Sequence, residues 1–131
     1  MDNDLAFATI DELAPRIKSG ELSPVTLVEN CLERIAAHGK TLNSFLAVFE
    51  QQARKDAKTL EAEIGAGKWR GPLHGIPIGL KDLVDVAGTV TTGGSTILKE
   101  NVASADATIT RKLKDAGAII IGKTHMVEFA M

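Results

Sequence analysis

Residues 106–124, DATITRKLKDAGAIIIGKT, constrain the fold more than any other stretch of the chain. The first part is an amphipathic helix, with Asp106 as candidate cap and Gly117 as stop. The second, AIII, is a short and strongly β-forming run. A helix, a glycine and then a strand with no polar face make an α/β unit whose strand lies in a buried sheet. The same residues spell G-x-x-x-x-G-K-[ST] between Gly117 and Thr124, the letters of a phosphate-binding loop. Such a loop needs a strand before its first glycine, a flexible turn between the glycines and a helix after its lysine. Here the helix comes first, and the four residues between the glycines form a strand whose amides belong to a ladder. Only the stretch after Thr124, HMVEFAM, meets a condition, as a helix. A nucleotide-binding module is the alternative that this order argues against. Gly122, Lys123 and Thr124 then read as the exit from a strand, with Lys123 either a solvated loop charge or a residue of a pocket at the carboxyl edge of the sheet.

Upstream, TIDELAPRIKSG is a short helix capped by Thr9, with Glu12 completing a capping box and Gly20 ending it. LSPVTLVENCLERIAAHG is the clearest helix: Ser23 is its N-cap, Pro24 its first residue and Gly39 its stop. Val25, Val28, Leu32 and Ile35 form its apolar stripe. NSFLAVF reads as a strand or an extended buried segment. EQQARKDAKTLEAEIGAG returns to a helical period through Ala53, Ala57, Leu60 and Ile64. From Trp69 onward glycine, proline and β-branched residues take over. The run from Ile76 to Leu80 is a strand that Pro77 confines to an edge, a strand start or an irregular segment, and TVTTGGST is a turn-rich loop. The fold class is α/β, in a single domain over 1–131 whose residues 1–68 are mainly helical and whose residues 69–131 begin a sheet core.

Apolar residues make up 44% and charged residues 24% of the 131, a globular balance. A net charge of −2, with no basic stripe, sets nucleic-acid binding aside. No run approaches the roughly 20 apolar residues of a membrane span, and the acidic start MDNDLAFATIDEL is unlike a secretory signal. A soluble cytoplasmic protein is the default. The single cysteine, Cys31, is a core-edge thiol. His38, His74 and His125 lie far apart without metal-ligand spacing, so neither metal nor cofactor is expected. Ser19, Ser23, Ser44 and Ser104 read as caps. Ser95 reads as a turn serine, with a Ser95–Lys81 dyad as the alternative.

Lys81 ends the apolar run of GIPIGLKDL. By residue chemistry its ammonium either snorkels outward or pairs with Asp82 or Asp85. The other reading is a desolvated amine at the foot of a site, where burial disfavours the charged form and yields a general base. Longer stretches bear on the choice. GPLHGIPIGLKDLVDVAG, TTGGST, DATITRKLKDAGAIIIGKT and EFAM, in that order and spacing, resemble the amidase signature family of serine hydrolases over residues 71–131. LSPVTLVENCLERI and NSFLAV extend the likeness upstream. The resemblance implies N-terminal helices followed by the first strands and helices of an amidase-type α/β/α mixed sheet, left incomplete. It also implies hydrolysis of a C–N amide bond by a Ser–cis-Ser–Lys triad in which Lys81 is the base. In that triad a bridging serine activates a nucleophilic serine, which forms an acyl-enzyme that water hydrolyses. Met131, which closes the EFAM stretch, is the candidate substrate-binding residue.

By the same resemblance both serines lie past the point matching Met131, the first in a GGSSGG-like run and the second in a GGS run beyond it. The chain alone is therefore expected to be inactive, and the partner of the full-length enzyme to be a small-molecule amide. The alternatives are a silent fragment, one half of a split enzyme and an amidotransferase A subunit. Such proteins read GKTN and then an acidic residue before EFAMG, where this chain has His125 and Val127. They also differ at Gly93 and Gly94. These departures favour a free-standing hydrolase. A sheet begun and not finished is expected to expose apolar surface around Ile78 and Ile120, and hence to promote self-association or require a complementing chain.

Overall fold

Two short helices lead the chain, α1 (Asn3–Phe7) and α2 (Ile10–Lys18), in a computed structural model that describes residues 2–131. Thr9 caps α2 as its sequence predicts: the hydroxyl accepts from Glu12 N–H, and Glu12 Oε2 accepts from Thr9 N–H at 2.7 Å. The long helix α3 (Pro24–Leu42) starts from Ser23, whose Oγ accepts from Val25 N–H at 3.0 Å. It does not stop at Gly39. The chain leaves the helix at Asn43, which adopts the left-handed conformation at φ 48° and donates its N–H to Gly39 O. Asparagine tolerates that region, so the stop signal stands four residues beyond the glycine. α3 also buries a second face. Val28 and Leu32 meet Ala53, Ala57 and Leu60 of α4 (Glu50–Gly65), while Leu27 joins Leu13, Ile17 and Ile76.

The sheet has the order β1–β3–β2. Strand β1 (Phe45–Val48) runs antiparallel, and β2 (Pro77–Lys81) parallel, to the central β3 (Ile119–Thr124). β3 is apolar on both faces because both are covered. Ile119 and Ile121 pack under α3 and α4, whereas Ile120 meets Leu80, Val86, Phe49 and Leu113 of α5 (Thr108–Asp115). The bare surface expected around Ile120 and Ile78 is absent at Ile120, which is buried, and reduced at Ile78, which is half-buried, while β2 is left as an edge strand as the open sheet implies. Pro77 is the first residue of an edge strand, where its missing N–H costs no ladder bond. Asp106 does not cap α5, whose N-cap is Ala107. Its carboxylate instead accepts from Ala87 N–H at 2.8 Å and from Lys114 Nζ at 2.7 Å, bracing the preceding loop against the far end of the helix. Gly117 does end α5, at φ +86°, with His74 so close that a Cβ would stand 2.9 Å from its Cα.

His74, a histidine without metal-ligand spacing in the sequence, is fully buried. Its Nδ1 accepts from Arg70 N–H at 3.2 Å, its Nε2 donates to Leu60 O at 3.0 Å, and the ring stacks on Trp69. The ring thus ties α4 to the loop that leads into β2. At Gly122 the neighbouring strand passes so near that a Cβ would lie 2.3 Å from Ala47 O. Gly122→Ala is expected to push β1 off β3 and to cost about 1–3 kcal/mol, read as a lower urea midpoint. An unchanged midpoint would contradict the close approach.

Candidate active site

In open α/β sheets ligands bind at the carboxyl ends of parallel strands, and β2 and β3 bring Lys81, Asp82 and Lys123 to that end. Lys81 stands opposite Thr124, and Leu80 opposite Lys123. The β2–β3 register slips by one between Ile78 and Gly79. One extra residue in a strand inverts the alternation beyond it. Lys123 therefore follows Leu80, toward the loop of residues 90–95, and not Ile121, toward α3 and α4.

Lys123 is fully buried, and its ammonium meets three acceptors: Thr91 Oγ1 at 3.0 Å, Asp82 Oδ1 at 3.3 Å and Val90 O at 3.5 Å. Asp82, equally buried, uses Oδ2 to accept from Thr92 N–H at 3.1 Å and from the Thr92 hydroxyl. Its main chain is held as well, with N–H donating to Thr124 O at 3.2 Å and C=O accepting from Gly93 N–H at 2.8 Å. Two expectations are corrected here. Lys123 is not a solvated loop charge, and Asp82 pairs with Lys123 rather than with Lys81. Burying either charge alone is costly, and the 90–92 loop supplies the donors and acceptors that make burying both tolerable.

Lys81 is exposed, and its amine has no hydrogen-bond or ion-pair partner among the described residues. The desolvated setting read for it from sequence is not built by residues 2–131, because β2 is the edge strand and no described strand lies beyond it. Ser95 is buried, and its Oγ donates to Glu128 Oε1 at 2.5 Å, so the geometry lends nothing to a Ser95–Lys81 dyad. The same loop is clamped to the last turn, Glu128–Ala130, by Phe129 N–H donating to Gly93 O at 2.6 Å. Gly94 sits at φ +73°, where a Cβ would reach Met126 O at 3.0 Å.

That last turn is a single 3₁₀ turn with Phe129 left-handed at φ 49°, not a helix, so the final requirement of a phosphate loop fails too. Met131 follows it, 91% exposed. A cavity of about 270 Å³ opens beside the ion pair, lined by Asp82, Thr92, Ser95, Lys99 and His125 among others. A larger hollow of about 860 Å³, between Phe49, Arg70, Val86 and Lys114, includes none of these residues. Cys31 is half-buried in α3, and burial, opposed by Arg34, pushes its thiol above the ordinary value, the setting of an unreactive cysteine. Among the described residues no helix is long and apolar enough to cross a membrane.

The family model described as Amidase matches residues 26–131. The chain belongs to the Amidase family. This amidase-family chain is 41% identical to an amidase of Pseudomonas putida, over 98% of its own length and 27% of that protein's. It is 44% identical to the A subunit of the glutamyl-tRNA(Gln) amidotransferase of Prochlorococcus marinus, over 94% of its length and 25% of that relative's. Among solved structures it superposes on the peptide amidase of Stenotrophomonas maltophilia with a TM-score of 0.87 and 37% identity, covering 95% of this chain and 26% of that one. The chain thus spans about a quarter of the length of the relatives it matches, and its mixed three-stranded sheet is the corresponding part of the amidase α/β fold.

Proposed function

We propose that Lys81 is the base of a Ser–cis-Ser–Lys amide hydrolase, in a protein that cleaves the C–N bond of a small-molecule amide. The observation that carries this reading is an amine at the carboxyl end of β2 with no hydrogen-bond or ion-pair partner among the described residues, next to a carboxylate already engaged elsewhere. Such an amine can take the proton that a bridging serine passes on as the nucleophilic serine attacks the amide carbon. The proton goes to the departing nitrogen, the acyl group remains as an ester on the nucleophile, and water releases the acid. Both serines, and the donors facing the carbonyl oxygen, would come from outside residues 1–131. Met131, exposed after the turn clamped to the 90–95 loop, would face the substrate. The likeness to an amidase and to a peptide amidase supports the hydrolytic reading.

A second reading, as the A subunit of an amidotransferase, is favoured by the 44% identity to one such protein. The two are separated by assaying the intact protein from its native source for ammonia release and for labelling by a serine-directed fluorophosphonate. Ammonia from benzamide or a peptide carboxamide, with labelling, supports the hydrolase. Ammonia from glutamine only when partner subunits are present supports the second reading. Neither ammonia nor labelling under any of these conditions would sink both.

A further inference from the structure

A lysine followed directly by an aspartate at a strand end has a counter-ion within reach. In this chain that counter-ion is turned away. Asp82 Oδ1 is taken by Lys123 and Oδ2 by Thr92 N–H and hydroxyl, all of them buried, while Lys81 stands exposed. The three acceptors of Lys123 leave its ammonium no hydrogen for anything else. We propose that Lys123 is a positioning residue for Lys81: by holding the Asp82 carboxylate inside the sheet end, it leaves the Lys81 amine without a standing counter-ion. The proposal rests on the reading of Lys81 as the base, and it gives the buried pair a role besides joining β2 to β3.

Charged or titratable groups near this end of the sheet include Asp85 after β2, His125 after β3, Lys99 beside the cavity and Glu128 in the last turn, whose carboxylate already accepts from Ser95. Helix α3 packs against β2, and α4 and α5 against β3, and they carry further charges, among them Glu29 and Arg54, paired with each other, and Lys114, paired with Asp106. Strand β1 carries none. Without Lys123, Asp82 Oδ1 becomes the nearest carboxylate in sequence that is free to hold a Lys81 ammonium, and such a partner favours the protonated form, which has no lone pair to accept a proton.

The test follows acetylation of Lys81 by trace acetic anhydride in the 131-residue chain across a pH series, read by peptide mass spectrometry. In Lys123→Met the pH midpoint for Lys81 should rise by about one unit, because a freed carboxylate favours the ammonium. In Asp82→Asn, which leaves Lys123 uncompensated, it should fall. In the double variant both charges are gone, and the midpoint should return to the parent's. Should Lys123→Met fail to fold by circular dichroism, Asp82→Asn and the double variant decide. A midpoint unmoved in every folded single variant, or a double variant shifted as far as either single, overturns the proposal. The readout needs no hydrolysis, so its failure is distinct from failure of the base assignment. The expected shifts together with full hydrolysis by Lys81→Met in the intact protein would keep this inference and discard that assignment.

Discussion

Lys81→Met, which removes the proposed base, is expected to lower kcat/KM of the intact protein for an amide substrate by at least about a thousandfold, while its circular dichroism and melting temperature stay at parental values. Both halves of that expectation come from where the side chain stands. The Lys81 side chain is exposed at the end of an edge strand and makes no ion pair or hydrogen bond among the described residues, so replacing it breaks no polar folding contact. Its backbone place opposite Thr124 is kept by methionine. On the proposed mechanism the chemistry has no such substitute, since methionine holds no proton and a bridging serine would have nothing to pass its proton to. Lys81→Arg should fare no better, because a guanidinium does not deprotonate in this range. Loss in kcat without a matching rise in KM marks an interaction made at the reacting step. Near-parental turnover by Lys81→Met would refute the role.

How much of this was legible in the sequence depended on how local the cause was. The capping box of Thr9 and Glu12, the Ser23–Pro24 start of α3 and the Gly117 stop were read correctly because each is settled within about one helical turn. Gly39 misled because a glycine inside a helix looks like a stop until the left-handed Asn43 beyond it is weighed. Asp106 misled in another way: an acid just before a helix reads as a cap, but its partners are Ala87 and Lys114, one of them 19 residues away. Lys123 was the largest miss. Its partners Asp82 and Thr91 lie 41 and 32 residues away, and a one-residue slip in strand register decides that it faces them. The available signal was a charge at the end of the otherwise apolar IIIGKT run, where it must find a buried partner or leave the sheet. The family motifs made Lys81 legible as a candidate, while its exposure reflects an edge that only the sheet order reveals.

Removing one member of the Asp82–Lys123 pair is expected to damage stability more than removing both. Lys123→Met takes from the Asp82 carboxylate its buried counter-ion and leaves Oδ1 to find a replacement at the exposed Lys81, which should cost about 3–5 kcal/mol. Set against a total folding stability of about 5–15 kcal/mol for an ordinary domain, that loss is a large lowering of the urea midpoint. Asp82→Asn should cost less than Lys123→Met, because the amide oxygen can still accept from Thr92 N–H, yet it strands the ammonium with only Thr91 and Val90 as acceptors. The double variant, neutral at both positions and close to the original volume, should recover most of what Lys123→Met loses, leaving a coupling of about 2–3 kcal/mol between the sites. Additive losses, or a loss below about 1 kcal/mol in Lys123→Met, would mean that water reaches the pair and shares its charge. The carboxyl ends of β2 and β3 would then be held by their ladder alone, and the backbone that carries Lys81 would be freer than the bonds from Asp82 to Thr124 and Gly93 imply.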